Sequence, residues 1–148
     1  MENKNILQEI QSELKAPKGQ RNNFGNYQYR SAEDILEAVK PILAKHKCAL
    51  VINDEMVEVG SRIYVKSTAM LALENQPFAS ATAFAREAET KKGMDDAQIT
   101  GAASSYSKKY ALNSLFAIDD TKDADFSNKH NNNSPVTKTV ATTKNELL

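Results

Sequence analysis

The sequence predicts an α+β fold: a small antiparallel three-stranded sheet meander packed with helices on one face, followed by a disordered polar C-terminal tail. Three observations predict it. Apolar residues recur at helical spacing in three separated stretches, near residues 6–14, 35–43 and 99–110. Turn formers divide residues 48–89 into strand-length pieces. After Asp125 the periodic apolar pattern stops, and asparagine, serine, threonine and lysine dominate.

Each element has its own signal. Ile6, Leu7, Ile10 and Leu14 share one face of a helix over residues 3–15, which Pro17 and Gly19 terminate. Residues 17–30 read mostly as loop, with Tyr27, Gln28 and Tyr29 alternating like a short strand. Ser31 is the N-cap of a second helix, and Asp34 is its capping-box partner. Ile35, Leu36, Val39, Ile42 and Leu43 carry that helix to about His46, and Pro41, which lacks an N–H, predicts a kink or a shift of register. Gly60 and Ser61 form a two-residue hairpin between strands Cys48–Val59 and Arg62–Leu73. Asn75, Gln76 and Pro77 make the next turn, and Phe78–Glu89 is the third strand, with alanines that predict a closely packed neighbour. Thr90–Met94 is a loop. Asp95 or Asp96 caps the last helix, which runs to about Leu115 or Phe116. On it Ile99, Ala103, Tyr106 and Tyr110 share one face, and Gly101, Ser104, Ser105 and Lys108 lie on the other. A glycine inside a helix costs about 1 kcal/mol relative to alanine. Gly101 therefore marks either tight packing on the sheet or room for a ligand's phosphates.

Length and composition narrow the function. A chain of 148 residues with 41% apolar content suits one domain, here residues 1–125, with 126–148 as tail. No apolar run approaches the roughly 18–20 residues that span a bilayer. The N-terminus opens no signal-peptide pattern, so a soluble cytoplasmic protein with no membrane partner is expected. Cys48 is alone, which excludes an internal disulfide, and reads as a small buried hydrophobe. One cysteine and two histidines make poor zinc-site material. The net charge is zero, but the charge is segregated. Residues 15–30 hold Lys15, Lys18, Arg21 and Arg30 with no acid, and residues 97–118 hold Lys108 and Lys109 with none. A neutral molecule can thus carry a local anion site.

Catalytic chemistry finds little purchase. His46 ends a helix and His130 sits in the tail, so neither is a credible general base, and the serines of the last helix have no partner identifiable in sequence. Neither a Walker A sequence nor GxGxxG is present. The acidic run Asp119–Asp125 admits two readings, a solvated segment after a helix or the metal ligands of a magnesium-dependent nuclease. The first accords with carboxylates that lack a second acidic set, so no enzyme, metal or cofactor is expected.

Single-strand binding suits these residues better, because it requires cations for phosphates and aromatic faces for bases. Lys18, Arg21 and Arg30 are interleaved with Phe24, Tyr27 and Tyr29, and Lys108 and Lys109 stand beside Tyr106 and Tyr110. Lys91 and Lys92 offer further phosphate contacts, or form a solvated turn. Arg86 offers one too, or a surface ion pair with a nearby glutamate. Ser104 and Ser105 leave room for phosphates beside Gly101. The candidate nucleic-acid set is therefore Lys18, Arg21, Tyr27, Tyr29, Arg30, Arg86, Lys91, Lys92, Ser104, Ser105, Lys108 and Lys109.

Two stretches resemble a known family. YQYRSAEDILEAVKPIL, residues 27–43, is similar to the entry into the first long helix of the ERF (essential recombination function) family. QITGAASSYSKKYALNSLFAIDDTKDAD, residues 98–125, is the longer and more specific likeness. The resemblance covers about residues 5–125. It implies a phage-type recombination protein with the β-β-β-α core of annealing recombinases. Such proteins bind single-stranded DNA, assemble as homo-oligomeric rings or filaments, and anneal complementary strands without ATP. They often work beside a phage exonuclease and a single-strand-binding protein, which places this chain in the bacterial host cell. A plain single-strand-binding protein that protects DNA without annealing it is the main alternative.

Overall fold

A computed structural model describes residues 5–119. The element order is α1 (Ile6–Glu13), β1 (Gln20–Asn22), β2 (Tyr27–Tyr29), α2 (Ala32–His46), β3 (Cys48–Val59), β4 (Arg62–Leu73), β5 (Gln76–Arg86) and α3 (Asp96–Leu115). The α+β class holds, with three helices and a β3-β4-β5 antiparallel meander. The described residues fall into two compact units, the hairpin Lys18–Tyr29 and a body made of the residues before Lys18 and from Arg30 to Asp119. The acidic residues Asp120–Asp125, His130 and the tail lie outside the described residues.

The capping signals act as the sequence requires. The Ser31 hydroxyl accepts the Asp34 N–H at 3.1 Å and the Asp34 carboxylate accepts the Ser31 N–H at 2.9 Å. Asp95 and Gln98 exchange the same pair of bonds at the start of α3, at 2.8 and 2.9 Å. Each box satisfies two donors that a helix start leaves unpaired.

Three expectations change. The first helix is shorter than residues 3–15, because Asn5 caps it by accepting the Gln8 N–H at 3.0 Å and Leu14 is already extended. The stretch 17–30, expected as mostly loop with a short strand at Tyr27–Tyr29, pairs that strand with a second, Gln20–Asn22, in the β1–β2 hairpin, with Arg21 opposite Gln28 and Asn22 opposite Tyr27. α2 reaches His46 as expected and runs through Pro41 as one element. The missing bond would have joined Pro41 to the Glu37 carbonyl, and both residues are exposed, so water can take that carbonyl. The turn between β4 and β5 is Glu74–Asn75, both with positive φ (52° and 65°), as a type I′ turn demands. Pro77 instead belongs to β5, an edge strand, beside a register shift at Leu71/Ala72, a position where its missing N–H is tolerated.

Strand pairing sorts the side chains of the meander. Val65, Ser67, Ala69 and Leu71 of β4 are buried on one face. Their partners are Met56, Asp54, Ile52 and Leu50 on β3 and Ala85, Ala83, Ala81 and Ala79 on β5. Ile10, Ile35, Val39, Leu112 and Phe116 complete one core with Ala69 and Leu71. Phe116 and Leu112 are almost wholly buried, so truncating either to alanine should cost about 3–5 kcal/mol. At the edge of this core Lys45 of α2 pairs with Glu13 of α1 at 2.6 Å, and His46 stands 3.1 Å from the same carboxylate. Lys45, then His46, holds the Glu13 carboxyl below its usual range. Burial pushes the Cys48 thiol up, in keeping with a packing role. Among the described residues no helix is long and apolar enough to cross a membrane.

Candidate nucleic-acid interface

α3 positions most of the candidate residues. Its sheet-facing stripe is Ile99, Ala103, Ser107 and Ala111, all buried. This differs from the expected face, because Ser107 rather than Tyr106 completes the stripe and the two tyrosines flank it. The alanines of β5 face these small residues, and small groups on both sides let a helix settle close to a sheet. Gly101 takes no part in that packing. It is exposed, and a Cβ placed on it would meet nothing within 4 Å.

The two flanks of α3 differ in chemistry. On the β3 side, Asp54 gathers polar groups. Ser67 donates to one of its oxygens at 2.6 Å and Ser104 to the other at 2.5 Å. Ser67 is also 2.5 Å from the Ser107 hydroxyl, and both serines are fully buried. Lys108 stands 3.9 Å from the same carboxylate. Asp54 thus satisfies a buried hydroxyl pair and neutralises the neighbouring cation. No partner for Ser104 or Ser107 is identifiable in the sequence alone. The available signal was an acid in phase with Cys48, Leu50 and Ile52 on the core face of a strand.

On the β5 side lies a groove of about 430 Å³. Phe84, Arg86, Lys91, Ile99, Tyr106 and Tyr110 line it, and none of its lining residues is acidic. Phe84 and Tyr106 are each about half exposed. The Tyr106 and Tyr110 rings stand 5.4 Å apart, tilted by 35°. The Lys109 ammonium lies 5.4 and 5.1 Å from their centroids, with the residue only 7% exposed. Lys109 is therefore placed against the rings, as a cation–π partner, and not on the open surface. Phe84 and Arg86 border the groove on edge strand β5, but they alternate with Ala83 and Ala85, so their side chains leave from the face of the sheet opposite α3.

The remaining candidates are dispersed. Lys92 and Ser105 are exposed outside the groove. Arg30 is 9% exposed, and its Nε donates to the Ala16 carbonyl at 2.6 Å, so it ties the start of α2 to the end of α1. Lys18, Arg21, Tyr27 and Tyr29 belong to the hairpin unit. There the tyrosine rings are 6.1 Å apart on one face, and Arg21, exposed, pairs with Asn26. The structure thus brings Arg86 and Lys91 together with Tyr106 and Tyr110, and separates them from Ser104 and Lys108.

A groove of cations and paired tyrosine rings, bordered by the helix that carries the longer family-like stretch, invites comparison with known proteins. The profile of the ERF superfamily matches residues 4–147. The chain belongs to the ERF superfamily. It is 59% identical, over 119 residues, to the essential recombination function protein of Salmonella phage P22. That match takes in 80% of this chain and 57% of the phage P22 protein, so the chain spans little more than half of that relative's length. No solved structure matches the chain. All the residues that line the groove fall within the ERF match.

Proposed function

We propose that this ERF-family chain binds single-stranded DNA and anneals complementary strands, without ATP, in phage recombination inside the bacterial host cytoplasm. One observation carries the reading: the groove on the β5 flank of α3, whose lining includes Arg86, Lys91, Tyr106 and Tyr110 and no acidic residue. Arginine and lysine neutralise phosphates whatever the sequence, and aromatic faces accept any base by stacking. Such a site grips a single strand without reading it. Sequence selection is then left to the second strand, whose matched bases pair and whose mismatched encounters dissociate. Neither covalent chemistry nor a metal enters this scheme.

One groove of this size holds only a few nucleotides, and each phosphate contact is weak and salt-sensitive. Annealing requires many nucleotides held in line, which repeated copies in a ring or filament would supply by multivalency. A phage exonuclease would supply single strands, and a single-strand-binding protein would deliver them.

Mixing labelled complementary oligonucleotides tests the proposal. Duplex formation should be faster with the protein than without it, in the absence of ATP. Tight binding with no acceleration would leave a protective single-strand binder, and no binding in dilute buffer would overturn the reading altogether.

A further inference from the structure

We infer that Phe24, at the tip of the β1–β2 hairpin, is a wedge that inserts between bases of a bound single strand and interrupts their stacking. The inference rests on the proposed single-strand binding and adds a second contact outside the groove. Phe24 is fully exposed, more so than any other large apolar residue among those described. The turn that presents it is built from several internal contacts. The Asn22 side-chain carbonyl accepts the N–H groups of Phe24 and Gly25 at 2.9 and 3.2 Å, and the Asn22 amide donates to the Tyr27 hydroxyl at 3.0 Å. Arg21 donates to the Asn26 side chain. Gly25 lies so close to the Tyr27 ring that a Cβ there would collide with it. The hairpin is therefore held by its neighbours' side chains, and the Phe24 ring contributes nothing to its own support.

Charge selects the occupant. Between Lys15 and Arg30 the chain has four cations and no acid, and the tip itself is flanked by Asn23 and Asn26. A lone ring with amides beside it and a guanidinium one strand away fits a nucleobase stack with its phosphate. It lacks the surrounding apolar patch that a protein interface would use. Apolar side chains presented in this way can insert between neighbouring bases and part them. A strand divided in this way keeps short runs of bases ordered and leaves the next ones open to a partner strand.

The test uses the full chain and oligo-dT carrying one 5-iodouracil, a base that crosslinks on irradiation to an aromatic ring stacked against it. The crosslinked peptide should contain Phe24. Phe24→Ala should keep the fold and weaken oligo-dT binding roughly ten-fold or more, by the usual worth of one base stack, and Phe24→Trp should restore it. If wild-type protein binds oligo-dT but Phe24→Ala binds equally well and the crosslink maps elsewhere, the wedge is wrong and the single-strand reading stands. If Phe24→Ala instead dissociates an oligomer in sedimentation while the crosslink maps elsewhere, the tip docks on a second copy and the wedge is wrong. Failure of the wild type to bind any oligonucleotide would overturn both.

Discussion

The two flanks of α3 carry similar residues and do opposite things with them. On the β3 flank, Lys108 and Ser104 converge on Asp54, which also closes the buried Ser67–Ser107 pair. On the β5 flank, Arg86 and Lys91 border a groove lined by Tyr106 and Tyr110, with no acidic residue in its lining. A lysine held by a carboxylate offers a phosphate much less than a cation whose surroundings hold no acid, because its charge is already balanced. The lesson is that a cation's usefulness to DNA is decided by what faces it across the fold, not by its neighbours along the chain.

Five changes would break or sharpen this contrast. The largest effect on binding should come from Arg86→Ala with Lys91→Ala, which removes both groove cations. Affinity for a single strand should fall by roughly ten- to a hundred-fold at low salt, measured by fluorescence anisotropy. Tyr106→Ala or Tyr110→Ala removes a stacking face, and each should cost about 1–3 kcal/mol of binding. On the other flank, Asp54→Ala strands the Ser67 and Ser104 hydroxyls. It should cost about 1–3 kcal/mol of folding stability in denaturant melts, whereas Lys108→Ala should change DNA affinity about two-fold or less, an exposed pair being worth little. Gly101→Ala, on the open outer face of α3, should stabilise the fold by about 0.5–1 kcal/mol and leave groove binding unchanged.

A smaller effect separates the body's helices from both flanks. Glu13 is held below the ordinary carboxylate range by Lys45 and then by His46. A depressed carboxyl contributes stability above its unfolded value, and that contribution is lost as the pH falls through the folded one. The α1–α2 contact should therefore loosen only below about pH 4.3, the ordinary glutamate value. Glu13→Gln should flatten that part of a stability-against-pH curve.

Much of this was legible in the sequence. The capping box at Ser31, a cap at Asp95 or Asp96, the Gly60–Ser61 turn and the bounds of β3 and β4 follow from residues three or fewer positions apart. Local chemistry fixes such features. The site was less legible, because it is made by contacts across the chain. Asp54 meets Ser104 only when β3 lies beside α3, fifty residues away in sequence. The groove exists only because β5 is an edge strand next to the helix. Lys109 reads as a surface cation on a helical wheel, yet the structure buries it against two rings. The hairpin at 20–29 showed only its second strand, Tyr27–Tyr29, because Gln20–Asn22 is three polar residues with no apolar alternation to mark it.

The contrast between the flanks can be put to a single measurement, the salt dependence of binding to a single strand. On log–log axes each phosphate contact contributes about 0.7 to the slope for single-stranded DNA. Arg86→Ala with Lys91→Ala should lower the slope by about 1.4, while Lys108→Ala should leave it at the wild-type value. A slope that drops for Lys108→Ala and stays unchanged for the groove pair would place the strand on the Asp54 flank and contradict the account.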